Sequence, residues 1–243
     1  MSAPTLVLVA HGTRNPVGVE TIAALAEAVS ADVGPVRVAF VDVLGPTPSE
    51  VLRDNDGPVV VVPAFLASGY HVHADVPREI EESGHTDVVV TRAMGPDIGL
   101  ARVLMSRLLD AGWTAGDRIV LAAAGSSDAR ALIDVRTAAA QLAEVTGSVV
   151  TVGYVATGEP RVADLVPAMK DSEPGPVFVA SYLLATGLFH NRLLTVGADG
   201  VADPLGVHDG VVGLIVERYR TGAEVIYAGA ALPRPDRPEM TPE

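Results

Sequence analysis

Three residues have the side chains and the positions to hold a transition metal: His11, Asp42 and His71. His11 and Asp42 follow β-branched runs at 5–10 and 36–41, and His71 lies in the loop after the run at 59–62. Two imidazoles and a carboxylate suit a borderline divalent ion such as Fe, Co, Ni or Zn. Neutral imidazole also accepts a proton near neutral pH, since its ordinary pKa is about 6.5. Open α/β sheets bind ligands beyond the carboxyl ends of their strands, and these three positions fall there. His73 would share a face with His71 only in extended backbone. His85 and His208 lie in Gly- and Asp-containing turns and receive no role.

The elements that must place these residues are legible as runs. Further strand-like stretches occur at 87–91, 118–122, 149–155 and 177–179. Their hydrophobicity is continuous rather than alternating, which points to strands buried on both faces of a parallel sheet. Helix-like segments lie between them, at 18–30 and 98–111, and Pro46-Thr47-Pro48-Ser49-Glu50 reads as a turn entering another helix. Alternating strand and helix give an α/β class with crossover connections.

An internal repeat organises the chain. Leu6-Val7-Leu8-Val9-Ala10-His11-Gly12-Thr13-Arg14 matches Ile119-Val120-Leu121-Ala122-Ala123-Ala124-Gly125-Ser126-Ser127. Ala39-Phe40-Val41-Asp42 matches Gly153-Tyr154-Val155-Ala156, and Leu66-Ala67-Ser68-Gly69-Tyr70-His71 matches Leu184-Ala185-Thr186-Gly187-Leu188-Phe189. Ordered matches of this kind indicate duplication. We expect two similar halves, 1–114 and 115–231, each a parallel sheet flanked by helices, facing across a central cleft. Residues 232–243 are rich in Pro and charge and read as a disordered tail. The three ligand candidates align with Ala124, Ala156 and Phe189, so only the first half keeps them. His190, one place beyond Phe189, is expected to face the same cleft from the second half.

Composition narrows the function. The chain has 243 residues, 49% hydrophobic, and a formal charge of −13. An acidic balance supplies no field for nucleic acid. The absence of cysteine excludes disulfides, iron–sulfur clusters and thiolate chemistry. No stretch approaches the roughly 18 apolar residues that span a bilayer. The apolar run near the amino terminus is short and lacks a basic flank. A cytoplasmic protein without nucleic-acid or membrane partners is the expectation. Gly12-Thr13-Arg14 and Gly125-Ser126-Ser127 follow strands, and such turns offer backbone amides to anionic oxygens. No base adjoins Ser126 and Ser127, which argues against a serine hydrolase.

Several of these stretches together resemble a known family. Leu8-Val9-Ala10-His11-Gly12-Thr13-Arg14, Ala39-Phe40-Val41-Asp42 and Val62-Pro63-Ala64-Phe65-Leu66-Ala67-Ser68-Gly69-Tyr70-His71-Val72-His73-Ala74-Asp75-Val76-Pro77 are similar to signatures of the class II chelatases of the CbiX/SirB type. Tyr182-Leu183-Leu184-Ala185-Thr186-Gly187-Leu188-Phe189-His190 extends the resemblance into the second half. It implies a lyase that inserts Co²⁺ or Fe²⁺, with Ni²⁺ a further candidate, into sirohydrochlorin, for sirohaem or cobalamin. The metal is then a substrate, and no organic cofactor is implied. His11 and His71 become catalytic residues and, with Asp42, metal ligands; the family usually has Glu in place of Asp42. A planar polycarboxylate needs an apolar slot and a polar rim. Tyr70 and Phe189 are expected to supply apolar contact. Arg14, Gly69, Ser126, Ser127 and His190 are expected to supply polar contact. Because the duplication provides both walls, the chain is expected to work as a monomer. A metal-delivery protein on the same scaffold would keep His11 and His71 without the slot, and a small-anion module would use the Gly turns alone.

Overall fold

Valine and leucine follow one another without interruption in β1 (Thr5–Ala10), and both faces of that strand are covered. Leu6, Leu8 and Ala10 point into a central core, while Val7 and Val9 point into a second cluster on the opposite side. That is the period of two expected of a strand. β1 pairs in parallel with β2 (Val36–Phe40) and with β3 (Val59–Pro63), and β3 pairs with β4 (Val88–Val90). The order is β2-β1-β3-β4. A second sheet repeats it as β6-β5-β7-β8, from β5 (Arg118–Gly125), β6 (Val150–Thr157), β7 (Val177–Tyr182) and β8 (Gly200–Val201). The computed structural model describes residues 3–230, so the expected tail at 232–243 lies outside the described residues.

Four helices start where short polar side chains cap their first amides. Asn15 caps α1 (Pro16–Val33), and Thr47 with Glu50 forms a reciprocal capping box on α2 (Pro48–Arg53). Asp97 caps α4 (Ile98–Asp110), and Asp128 caps α5 (Ala129–Thr146). The remaining helices are α3 (Val76–Ser83), α6 (Val162–Ser172), α7 (Leu188–Leu193) and α8 (Asp209–Ala230). None of the helices among the described residues is long and apolar enough to cross a membrane.

Two helices leave their own half. α4 packs on β7 and α5, while α8 returns to pack on α1, β3 and β4. Gly222 of α8 lies so close to β3 that a Cβ there would sit 2.5 Å from Cγ1 of Val60. Tyr219 Oη donates to the carbonyl of Pro4 at 2.8 Å. Arg218, buried, donates to Oδ2 of Asp97 at 2.6 Å, tying α8 to the cap of α4. The central core therefore draws on both sheets at once, with Leu8 and Val62 from one and Leu121 and Ala180 from the other.

The repeat is structural as well as sequential. Phe40 N–H donates to the Pro46 carbonyl and Tyr154 N–H to the Pro160 carbonyl, each at 2.9 Å. Gly12 leaves no room for a Cβ against the carbonyl of Asp42, nor does Gly125 against that of Thr157. The expected pair of parallel sheets is present, with four strands each. β8, two residues long, carries too little apolar pattern to be read from sequence. We expect Asp97→Ala to lower stability by about 2 to 4 kcal/mol, because it leaves the buried Arg218 with only the exposed Glu217 as an ionic partner and removes a helix cap. Urea unfolding of the two proteins checks this; a loss below about 1 kcal/mol would contradict it.

Candidate metal centre and cleft

His11 follows β1 directly and is exposed. Its Nδ1–H donates to the carbonyl of Gly12 at 2.8 Å, which fixes the tautomer and leaves Nε2 with its lone pair. His71 opens a π-helical turn (His71–Asp75) that leads into α3. The turn brings Asp75 back under the ring, and Nδ1 of His71 donates to its Oδ2 at 2.6 Å. Asp75 is buried, and its other oxygen accepts from Nη1 of Arg78 at 2.7 Å. A carboxylate behind a ligating histidine sets the ring's orientation and raises its basicity. The two imidazoles lie with ring centroids 4.6 Å apart at 88°, and Phe65 stacks near His71 at 6.1 Å and 19°. Neither Nε2 makes a hydrogen bond among the described residues. Sequence reasoning assigned no role to Asp75, although its spacing of four from His71 was the available signal.

Asp42 stands apart from this pair. Its Oδ1 accepts from the N–H of Val43 at 2.7 Å, and Val43 has a positive φ of 69°. Among the described residues no group of three or more His, Asp or Glu side chains surrounds one point. The expected grouping of His11, Asp42 and His71 is therefore not formed here: the two imidazoles meet, while the short carboxylate folds back on its own loop.

The histidines stand in the wall of a cavity of about 610 Å³ between the halves. Gly69, Tyr70 and Phe65 line it from the first half, and Ser126, Ser127, Leu183 and Phe189 from the second. A second cavity of about 420 Å³ shares His11, Leu184 and Phe189 with it. Tyr70 is 59% exposed, at the mouth. Arg14 is exposed and lines neither cavity. His73 is on the far side of the loop, facing a different cavity with Arg92 and Arg130. Beside it, Arg130 holds the Asp128 carboxyl down at about 2.

His190 is another correction. It is 4% exposed and lines neither cleft cavity, its Nδ1 lying 3.3 Å from Oγ of Ser181. α7 turns by about 100° per residue, so presenting Phe189 to the cleft sends His190 toward β7. Burial pushes its pKa down, opposed by the more distant Asp203.

A sequence profile of the CbiX family matches residues 5–111 and 118–222, one copy on each half. The chain belongs to the CbiX family. The sirohydrochlorin ferrochelatase of Priestia megaterium is 26% identical over 235 residues, 88% of each chain. SirB from Bacillus subtilis with Fe³⁺ superimposes with a TM-score of 0.81 at 22% identity, covering 93% of this chain and 98% of that one. The structure of CbiX, a terminal enzyme of sirohaem biosynthesis in denitrifying bacteria, gives 0.67 at 25% identity, covering 89% and 98%.

Two outcomes follow from these contacts. Asp75→Ala should weaken Co²⁺ binding by about 10- to 100-fold in a calorimetric titration, since it releases the His71 ring; unchanged affinity would contradict the assigned support. Burial favours the neutral form of His190 in the folded chain, so it binds a proton more readily unfolded. Its share of stability is therefore intact above about pH 6.5 and is lost as pH falls through the window below. The melting temperature of His190→Gln should fall less steeply than that of the native chain between pH 7 and 5.

Proposed function

We propose that this chain inserts Co²⁺ or Fe²⁺ into sirohydrochlorin. The observation that carries the reading is the pair His11 and His71, each held through Nδ1 with Nε2 unengaged, in the wall of a cleft between two CbiX-type halves. Insertion removes the two inner pyrrole protons as the divalent ion enters, so the charge at the macrocycle centre is conserved. The two imidazoles suit both sides of that exchange, since an imidazole nitrogen can bind a divalent ion or take up a proton. Phe65, Leu183 and Phe189 give the apolar faces a planar ring needs, and Gly69, Tyr70, Ser126 and Ser127 lie where its substituents would pass. Asp42 acts, on this reading, only through water. Arg14 serves the carboxylates from outside the cleft.

The metal is substrate, and no organic cofactor takes part. Ligand type alone does not separate cobalt, iron and nickel, so supply selects among them. Iron loading would serve sirohaem and cobalt loading cobalamin. A polycarboxylate crosses bilayers poorly, which supports reading the enzyme as cytoplasmic, with neither membrane nor nucleic acid as a partner. Both walls come from one chain, and we read it as a monomer with internal pseudo-two-fold symmetry.

His11→Ala or His71→Ala should slow insertion by at least about 100-fold, beyond the range for loss of an outer partner, with folding intact. Asp42→Ala should cost less than either. The change in visible absorption on mixing sirohydrochlorin, Co²⁺ and protein reports the rate. A metal-delivery protein would bind Co²⁺ and give no such change, which would overturn the proposal. Light scattering should return the mass of one 25.0 kDa chain.

A further inference from the structure

The loop that carries His71 is gripped from the other half. Tyr182, at the end of β7, donates from Oη to the carbonyl of Leu66 at 2.7 Å. Asp134, on α5, accepts at Oδ2 from the N–H of Ser68 at 2.7 Å, a charge-assisted bond. The next residue, Gly69, lies against the same helix, where a Cβ would be 3.3 Å from that of Ala131. Gly95 closes the remaining side, since a Cβ there would collide with the Leu66 carbonyl and the Tyr182 hydroxyl. Burial, reinforced by Asp134 and then Asp97, pushes the Tyr182 phenol up, so it stays a donor. His71 follows Ser68 by three residues.

We propose that Asp134 and Tyr182 are positioning residues for metal insertion, holding the loop from Leu66 to Gly69 so that His71 stands at its working distance from His11. The inference rests on the reading of these two histidines as the metal site. Its consequence is that cleft width and ligand spacing are one coordinate. Moving the halves apart stretches both bonds and draws His71 away from His11. The second half, which lacks ligands of its own, then controls the metal site through two hydrogen bonds.

The test uses the full chain with Asp134→Ala, Asp134→Asn and Tyr182→Phe, and a remote variant, Asp199→Ala. Asp199 ties Lys170 and the Val177 amide at the opposite end of the second sheet. Three readouts are needed: affinity for Co²⁺ alone, kcat and KM for sirohydrochlorin, and the melting temperature. Asp134→Ala and Tyr182→Phe should each weaken Co²⁺ by about 10-fold or more and lower kcat, with KM for the tetrapyrrole within about twofold. Asp134→Asn keeps an acceptor oxygen and should recover most of the Co²⁺ affinity. Asp199→Ala should lower the melting temperature and leave Co²⁺ affinity alone. Folded Asp134→Ala and Tyr182→Phe with native Co²⁺ affinity and kcat would overturn the proposal. If Asp134→Ala does not fold, Tyr182→Phe, which keeps the ring and its packing, decides. A native chain that binds Co²⁺ but inserts none would refute the proposed function, while the Co²⁺ titrations would still judge the positioning.

Discussion

The exchange of α4 and α8 between the halves is the constraint from which the cleft takes its shape. Two domains joined by a linker and a small polar contact are expected to move relative to one another. Here α4 lies on β7 and α8 on β3 and β4, so separating the sheets would uncover the core they share. The Arg218–Asp97 ion pair adds a directional tie at the centre of the exchange. Its cost of desolvation is large, and its contribution is best seen as fixing register rather than adding net stability. A slot for a planar ring needs walls at a fixed spacing, and a fused core gives that more directly than a hinge.

Within this frame the two halves keep one turn geometry and differ in the side chains it presents. Both keep a glycine cradled against the carbonyl of the neighbouring loop, Gly12 under Asp42 and Gly125 under Thr157. That close approach requires the missing Cβ, so the turn geometry persists whether or not it carries a ligand. What changes is the residue presented: His11 in one half, Ala124 in the other, both lining the cleft. After β3 the chain makes a π-helical turn that sets Asp75 behind His71; after β7 it enters the short α7, which offers Phe189. One half presents imidazoles to the cleft, the other an apolar wall.

How far the sequence announces this depends on the range of the interaction. Continuous valine runs gave the strands because burial on both faces leaves no polar residue to interrupt them, and the repeat matches gave the duplication. His11 and His71 were legible because they end or follow such runs. The orientation of Asp42 was not, since a local bond to the Val43 amide competes with any ligand role and depends on a positive φ at Val43. His190 was misplaced by one residue of helix, which is enough to turn a side chain from cleft to core. The helix exchange left no mark in periodicity: α4 has the same amphipathic pattern whichever sheet it covers. Asp134 and Tyr182 act over separations of 66 and 116 residues, beyond anything spacing reveals.

On the proposed function, the donor set fits an ion that must leave. Closed sites with four protein ligands hold metals as structure, whereas sites with open positions exchange or react. As ligands, His11 and His71 would offer two imidazole nitrogens and leave the remaining donors to water and to the macrocycle. Negative charge is present but kept one step back: Asp75 engages the rear of His71 and is itself held by Arg78. It orders and sharpens the ligand without adding a second attraction for the cation. A third protein donor would deepen the well from which the metal has to climb into the ring. A pair of imidazoles, aligned from behind by a carboxylate and held in place by the opposite half as proposed, would keep that well shallow while keeping its position fixed.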